Sequence, residues 1–340
     1  MYELNANSKS HELRRALELA AGPPRPARRP GADLVTRMRT RPELRRLVPA
    51  RLAVGLAERH GSKIWQHSAE ERRRALAAMD AVVGGTERAA AIQELARAHM
   101  IENEVRETMF WRPWRAPTMD RESEETLLGA IAAGRGVLLS RCHLGPIFLG
   151  AGAIRRIGVK PYSTIGAWIF EAPPTGPWAR RVDRWRRGVE RIGDQLINSK
   201  GSFAVIAELL RAGEVVQVYF DMPGSTATDF LGKRVMLASG TARLAETTGA
   251  LVLPMHLKRS GHRISVEIGP ANDPLEHAGH EAMQESLARA HEHSILQAPA
   301  MLEDPNRAGA WEHGASAAEW ARPETEPTPL SRTPQLSPAH

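Results

Sequence analysis

Gly136-Val137-Leu138-Leu139-Ser140-Arg141-Cys142-His143-Leu144-Gly145-Pro146 is the stretch that decides the fold class. Gly136 to Arg141 is a short apolar run that reads as a strand, Gly145-Pro146 turns the chain, and Ile147 to Ile157 reads as a helix ended by Gly158. The same alternation continues outward. Val159 to Ile165 is the next strand, Phe203 to Arg211 a helix closed by Gly213, and Val215 to Phe220 a buried strand. Thr241 to Thr248 forms a helix closed by Gly249, and Leu251 to Leu257 and Ile264 to Ile268 complete the strands. Short strands alternating with helices predict an α/β protein whose mostly parallel central sheet is flanked by helices, with edge strands free to run either way.

Upstream the pattern is helical. Ser68-Ala69-Glu70-Glu71 reads as a capping box opening a helix to Val83, closed by Gly84-Gly85, and a second helix is expected from Thr86 to Glu107. The ends look different again: Gly22 to Gly31 is rich in proline and arginine, and Arg322 to His340 carries five prolines and almost no apolar residues. The expected organisation is a flexible basic segment over 1–44, a helical N-terminal cap over 45–125, an α/β core over 126–312 and a disordered Pro-rich tail over 313–340.

The 340 residues are 42% hydrophobic and 25% charged, the make-up of an ordinary soluble globular protein, which excludes collagen-like, coiled-coil and disulfide-scaffold classes. Lys+Arg 46 against Asp+Glu 39 gives a formal charge of +7, which favours anionic partners such as phosphates, nucleic acid or acidic lipid. A single cysteine, Cys142, forms no internal disulfide, so a reducing cytoplasm is the default. No uncharged apolar run approaches the ~18 residues of a membrane-spanning helix, so any work on lipid is expected from the surface.

In open α/β sheets, reactive groups gather outside the carboxyl ends of the strands. His143 lies just past the strand ending at Arg141, and Asp221 directly after the strand ending at Phe220. A neutral imidazole accepts a proton near pH 7, which suits a general base; a histidine that merely caps the following helix is the plain alternative.

The segment from Gly136 through His143 to Ala151 resembles the catalytic block of the bacterial lauroyl/myristoyl lipid A acyltransferases, within the wider lysophospholipid acyltransferase superfamily. Asp221-Met-Pro-Gly, Phe230-Leu-Gly-Lys and the run from Ser239 to Pro254 are similar in order and spacing to that family's later blocks, and Glu70-Glu71-Arg72-Arg73-Arg74 resembles its upstream region. The resemblance covers about residues 45 to 270. It implies a glycerolipid acyltransferase-like fold and transfer of a fatty acyl group from a thioester, acyl-carrier protein or coenzyme A, to a hydroxyl or amine of a lipid, glycan or small-molecule acceptor. His143 is then the base, and no metal or redox cofactor is implied. Backbone N–H groups at the start of the Ile147 helix are expected to serve the developing oxyanion.

Family members carry a carboxylate five residues after the histidine, where this chain has Phe148. Phenylalanine neither accepts a hydrogen bond nor stabilises an imidazolium. Three readings follow: another carboxylate, Asp221 or Glu171, substitutes; His143 works alone; or the protein is an acyl- or lipid-binding relative without catalysis. A thioester or ester hydrolase using the same base is a further alternative. Substitution by Asp221 is the shortest route along the sheet rim, with Phe148 then part of a substrate pocket.

Phosphate-bearing substrates would account for the basic charge. Arg184 and Arg187, in the basic and aromatic run Arg180 to Arg187, Lys200 ahead of the Phe203 helix, and Arg243 on the Thr241 helix are the candidate substrate contacts, and an acidic membrane surface is a possible transient partner. Nucleic acid is the least favoured, because no recognised binding motif accompanies the N-terminal arginines. Cys142 beside His143 makes no nucleophile pair, as neighbouring residues of an extended chain point to opposite faces. His277, His280, His291 and His293 lack metal-ligand spacing and read as loop or surface residues.

Overall fold

A computed structural model describes residues 48–110, 117–166, 170, 186–190, 194–303, 305 and 310–312. The expected flexible segment 1–44 and tail 313–340 lie outside these residues, as do Arg184 and Glu171. Three helices lead: α1 (Ala50–His67), α2 (Ala69–Val83) and α3 (Ile92–Phe110). Ser68 caps α2 as its sequence predicts, its hydroxyl accepting the Glu71 N–H at 3.3 Å. Thr86 does not open α3. Its hydroxyl instead donates to the Val83 carbonyl at 2.8 Å, and a 3₁₀ turn over Ala89–Ala91 precedes Ile92. Arg259, 10% exposed, pairs with Glu102 of α3 and with Glu58 of α1 at 3.1 Å, tying both helices to the sheet that follows.

Next come β1 (Thr118–Met119), α4 (Arg121–Ala132), β2 (Val137–Arg141), α5 (Gly150–Arg156), β3 (Tyr162–Ile165) and β4 (Gln195–Asn198). Then follow α6 (Phe203–Arg211), β5 (Val215–Tyr219), the hairpin β6 (Pro223–Phe230) and β7 (Lys233–Leu237), α7 (Gly240–Thr248), β8 (Leu251–Ser260), β9 (Arg263–Ile268) and α8 (His280–Gln297). The main sheet has the order β1-β9-β8-β2-β5-β3-β4. β8, β2, β5, β3 and β4 run parallel, and the antiparallel pairing of β9 with β8 reverses the β9–β1 edge. The mostly parallel sheet flanked by helices, with a helical N-terminal region, is thus the fold the sequence predicts. α4 is an addition to that reading, and it spans residues 125 and 126, where the cap was expected to give way to the core.

Side-chain alternation along the central strands splits the core into two layers. Leu138, Val216 and Val252 face α2, α6, α7 and α8, whereas Val137, Leu139, Val215 and Leu253 face Val105 and Met109 of α3, Leu127 of α4 and Ile154 of α5. Both faces of β2 are buried throughout, which is why it reads as an unbroken apolar run in the sequence.

Candidate active site

β2 and β5 are neighbours in register, with Arg141 opposite Tyr219. Two residues on from each, His143 and Asp221 leave the sheet together at its carboxyl edge. The imidazole Nδ1–H donates to Asp221 Oδ1 at 2.7 Å, and the His143 backbone N–H donates to Oδ2 at 2.9 Å. An ionised carboxylate only accepts, so the proton sits on Nδ1 and Nε2 is the basic nitrogen. Asp221 is fully buried and the His143 side chain 12% exposed. Water is therefore largely kept from the pair, and the charge-assisted bond is correspondingly strong.

The surroundings hold this pair from three sides. The Trp311 indole N–H donates to the Asp221 backbone carbonyl at 2.9 Å. The Tyr219 ring stacks on the imidazole, with centroids 3.9 Å apart and planes 17° from parallel. The turn itself is stapled to residues 301–303: Glu303 N–H donates to the His143 carbonyl at 2.7 Å, and Gly145 N–H to the Met301 carbonyl at 2.9 Å. Gly145 has φ +75°, and a Cβ there would lie 3.0 Å from the Leu257 carbonyl oxygen, so this corner requires glycine.

The segment after the turn differs from its sequence reading. Ile147–Leu149 is a 3₁₀ turn and α5 begins only at Gly150. The N–H groups of Ile147 and Leu149 donate to the carbonyls of Gly145 and Pro146, at 2.9 and 3.0 Å. These two N–H groups are occupied by the turn and so are not free to serve an oxyanion. The Phe148 side chain lies outside the described residues.

Among the basic residues, Lys200 is exposed just past the end of β4, on the same rim as His143, with its N–H bonded to Asn198 Oδ1 at 3.0 Å. Arg243 is exposed in the first turn of α7, its guanidinium 5.7 Å from the Phe203 ring centroid at the start of α6. Arg187 is half-buried in the helical residues 186–190. Among the described residues, neither Lys200 nor Arg243 is in contact with His143. Between Val105, Arg106 and Met109 of α3 and the Gly145-Pro146 turn lies a cavity of about 10 Å³. That is room for a single water molecule.

On the opposite face of β2, sequence reasoning missed a second histidine. His291 is not in a loop or on the surface; it is buried in α8, where it continues the inward row Met283, Leu287, His291, Ile295. That four-residue spacing is the signal that would have found it. Its Nε2 lies 2.8 Å from Ser140 Oγ, and its ring 4.8 Å from Phe220. Burial pushes its pKa down to about 4 against the pull of the Asp221 charge, so it is neutral at pH 7. Among the described residues no group of three or more His, Cys, Asp or Glu is placed to hold a metal ion, and no helix is long and apolar enough to cross a membrane.

Comparison with known proteins agrees with the motif reading. The profile of the bacterial lipid A biosynthesis acyltransferases matches residues 43–302. A search of the curated proteins returns no match. Among solved structures, the chain is similar to the 1-acyl-sn-glycerophosphate (LPA) acyltransferase PlsC from Thermotoga maritima, at 12% identity and a TM-score of 0.37, over 74% of this chain and 97% of that one. The family profile spans the cap helices, the whole sheet and the turn that carries His143, well over half of the chain, and on that ground the protein belongs to the bacterial lipid A biosynthesis acyltransferase family.

Proposed function

We propose that the protein moves a fatty acyl group from an acyl thioester, on coenzyme A or an acyl-carrier protein, to a hydroxyl or amine of a lipid, glycan or small-molecule acceptor. Family membership supplies the acyltransferase class and lipid-type substrates. The observation that carries the rest is the 2.7 Å bond between His143 and the fully buried Asp221. His143 Nε2 takes the acceptor's proton as its oxygen or nitrogen bonds to the thioester carbonyl carbon. The tetrahedral intermediate then expels the thiolate, which recovers the proton from the imidazolium, leaving an ester or amide and a free thiol. Asp221 holds the Nδ1–H and offsets the positive charge of the imidazolium, the task given in relatives to the carboxylate that Phe148 replaces here.

Lys200, Arg184, Arg187 and Arg243 are the cations we assign to phosphate groups of donor or acceptor. With a formal charge of +7, the protein is suited to brief contact with an acidic membrane surface at its cytoplasmic side. The test is acyl transfer by purified protein with a panel of acyl thioesters and lipid or glycan acceptors. His143→Ala is expected to lower kcat by on the order of 10²–10⁴-fold and Asp221→Asn by on the order of 10²-fold, the range of a positioned base. Turnover that is absent, or unchanged in His143→Ala, refutes catalysis through this pair. Turnover with water as sole acceptor identifies a hydrolase instead.

A further inference from the structure

Arg141 sits two residues before His143, on the floor of the site, and is only 3% exposed. Among the described residues no carboxylate contacts it. Its Nη1 donates to the Ile147 carbonyl at 2.9 Å and to Gln217 Oε1 at 3.1 Å, and its Nη2 donates to the Tyr219 hydroxyl at 2.7 Å. Its guanidinium carbon lies 4.5 Å from the centroid of the same Tyr219 ring that stacks on His143. Behind Gln217 the chain of bonds continues across the sheet. The Gln217 amide donates to Ser163 Oγ at 2.7 Å, and the Ser163 hydroxyl donates to Asp194 Oδ1 at 2.8 Å. The counter-charge of Arg141 is thus two side chains away. Burial pushes the Asp194 carboxyl up to about 6, while the Ser163 bond and the Arg141 charge pull it the other way.

A buried cation without a touching carboxylate is costly to fold, and its Nε is also left without a hydrogen-bond partner. The preceding positions on the same face of the strand, Val137 and Leu139, are apolar, so packing alone does not call for arginine here. The surrounding chain keeps room for it: a Cβ on Gly150 would lie 3.3 Å from Arg141 Nη1 and 3.1 Å from the Met255 methyl. Every group that Arg141 bonds either touches His143 or begins the turn that follows it, save the Gln217 that anchors it.

We propose that Arg141 is the positioning residue of this site, fixing the Tyr219 ring against the His143 imidazole and the Ile147 carbonyl in the turn. Asp221 holds the edge of the imidazole; Arg141, through Tyr219, holds its face. The assignment rests on His143 being the base. A planar guanidinium is needed because three acceptors in different directions are held at once, which an ammonium on a flexible stem does not do.

The experiment compares wild type with Arg141→Lys, which keeps the charge, and Tyr219→Phe, which keeps the ring and removes the hydroxyl that Arg141 bonds. Both are expected to lower kcat about tenfold with KM for the acyl thioester unchanged. Independently of turnover, the imidazole NMR signals of His143, displaced by the ring current of Tyr219, are expected to move in both variants. Unmoved signals with unchanged kcat in Tyr219→Phe overturn the proposal even if Arg141→Lys does not fold. A raised KM at unchanged kcat overturns it too, since Arg141 would then be serving substrate. If wild type transfers no acyl group at all, the catalytic reading fails, and the NMR comparison still decides whether Arg141 fixes the ring.

Discussion

His291 and Asp194 give the protein two buried titrations of opposite sign. The His291 pKa falls from the usual 6.5 to about 4 on burial, so between these values the unfolded chain binds the proton and the folded one does not. Its contribution to stability is fully present above pH 6.5 and is lost as the pH falls toward 4. Asp194 is raised from 3.8 to about 6, so between those values the folded chain holds the proton. Its contribution is present at low pH and is lost as the pH rises through 6. At about 1.4 kcal/mol per pH unit of separation, each group is worth about 3 kcal/mol over its full range. Between pH 4.5 and 6 the two windows overlap, each contributing about 1.5 kcal/mol in opposite directions, so in the native chain they nearly cancel. His291→Gln, which can still meet Ser140 Oγ, removes one side of the balance. Relative to wild type its unfolding free energy is expected to fall by about 1.5 kcal/mol from pH 4.5 to 6, and that of Asp194→Asn to rise by about as much. Urea unfolding at several pH values, followed by circular dichroism, measures both. Stability curves of the two variants that run parallel to that of wild type would refute the reasoning.

Three further outcomes follow from the packing around the site. Gly150→Ala places a methyl against Met255 and Arg141, and a loss of about 1–3 kcal/mol by urea unfolding is expected, together with lower kcat. Trp311→Phe keeps most of the buried volume but removes the donor to the Asp221 carbonyl; it is expected to cost about 1–3 kcal/mol and to lower kcat more than KM. Phe148→Glu restores the carboxylate that relatives carry, yet His143 Nδ1 is already bonded to Asp221, so steady-state kcat is expected not to rise. A gain in kcat would mean that Asp221 is not the partner that matters.

The strands and helices legible in the sequence are those with strong local contrast. β2 is an apolar run between glycine and a Gly-Pro turn, and α6 runs over Phe203–Arg211 as its pattern predicts. The elements that escaped lack such punctuation. α1 follows Pro49 and α8 follows Gly279, neither with a side-chain cap, and β6 exposes alternate residues so that it reads as loop. α4 did carry a signal, Asp120, whose carboxylate accepts the Ser123 N–H at 2.7 Å. The pairing of His143 with Asp221 was within reach because adjacent parallel strands in register deliver their next residues to one place. Arg141 was passed over because a single charge at the end of an apolar strand looks like a strand terminus. Its role is visible only once Tyr219, Gln217 and Asp194, spread over nearly eighty residues of chain, are seen as one hydrogen-bonded line.

The bond from Trp311 to Asp221 joins positions 90 residues apart, and Trp311 lies beyond the stretch that the family profile matches. During synthesis the ribosome delivers β2 and β5, and with them both members of the polar pair, long before the indole that seats Asp221 from behind. Among the described residues the last sheet strand, β9, ends at Ile268, so all of the described strands are in the nascent chain while this indole is still to come. Trp311 is also a fully buried member of the main core, so the same late residue completes both the packing and the seat of Asp221. Shortening the chain to a point before residue 311 would keep every strand of the described sheet but remove at once a buried core side chain and the donor to the Asp221 carbonyl.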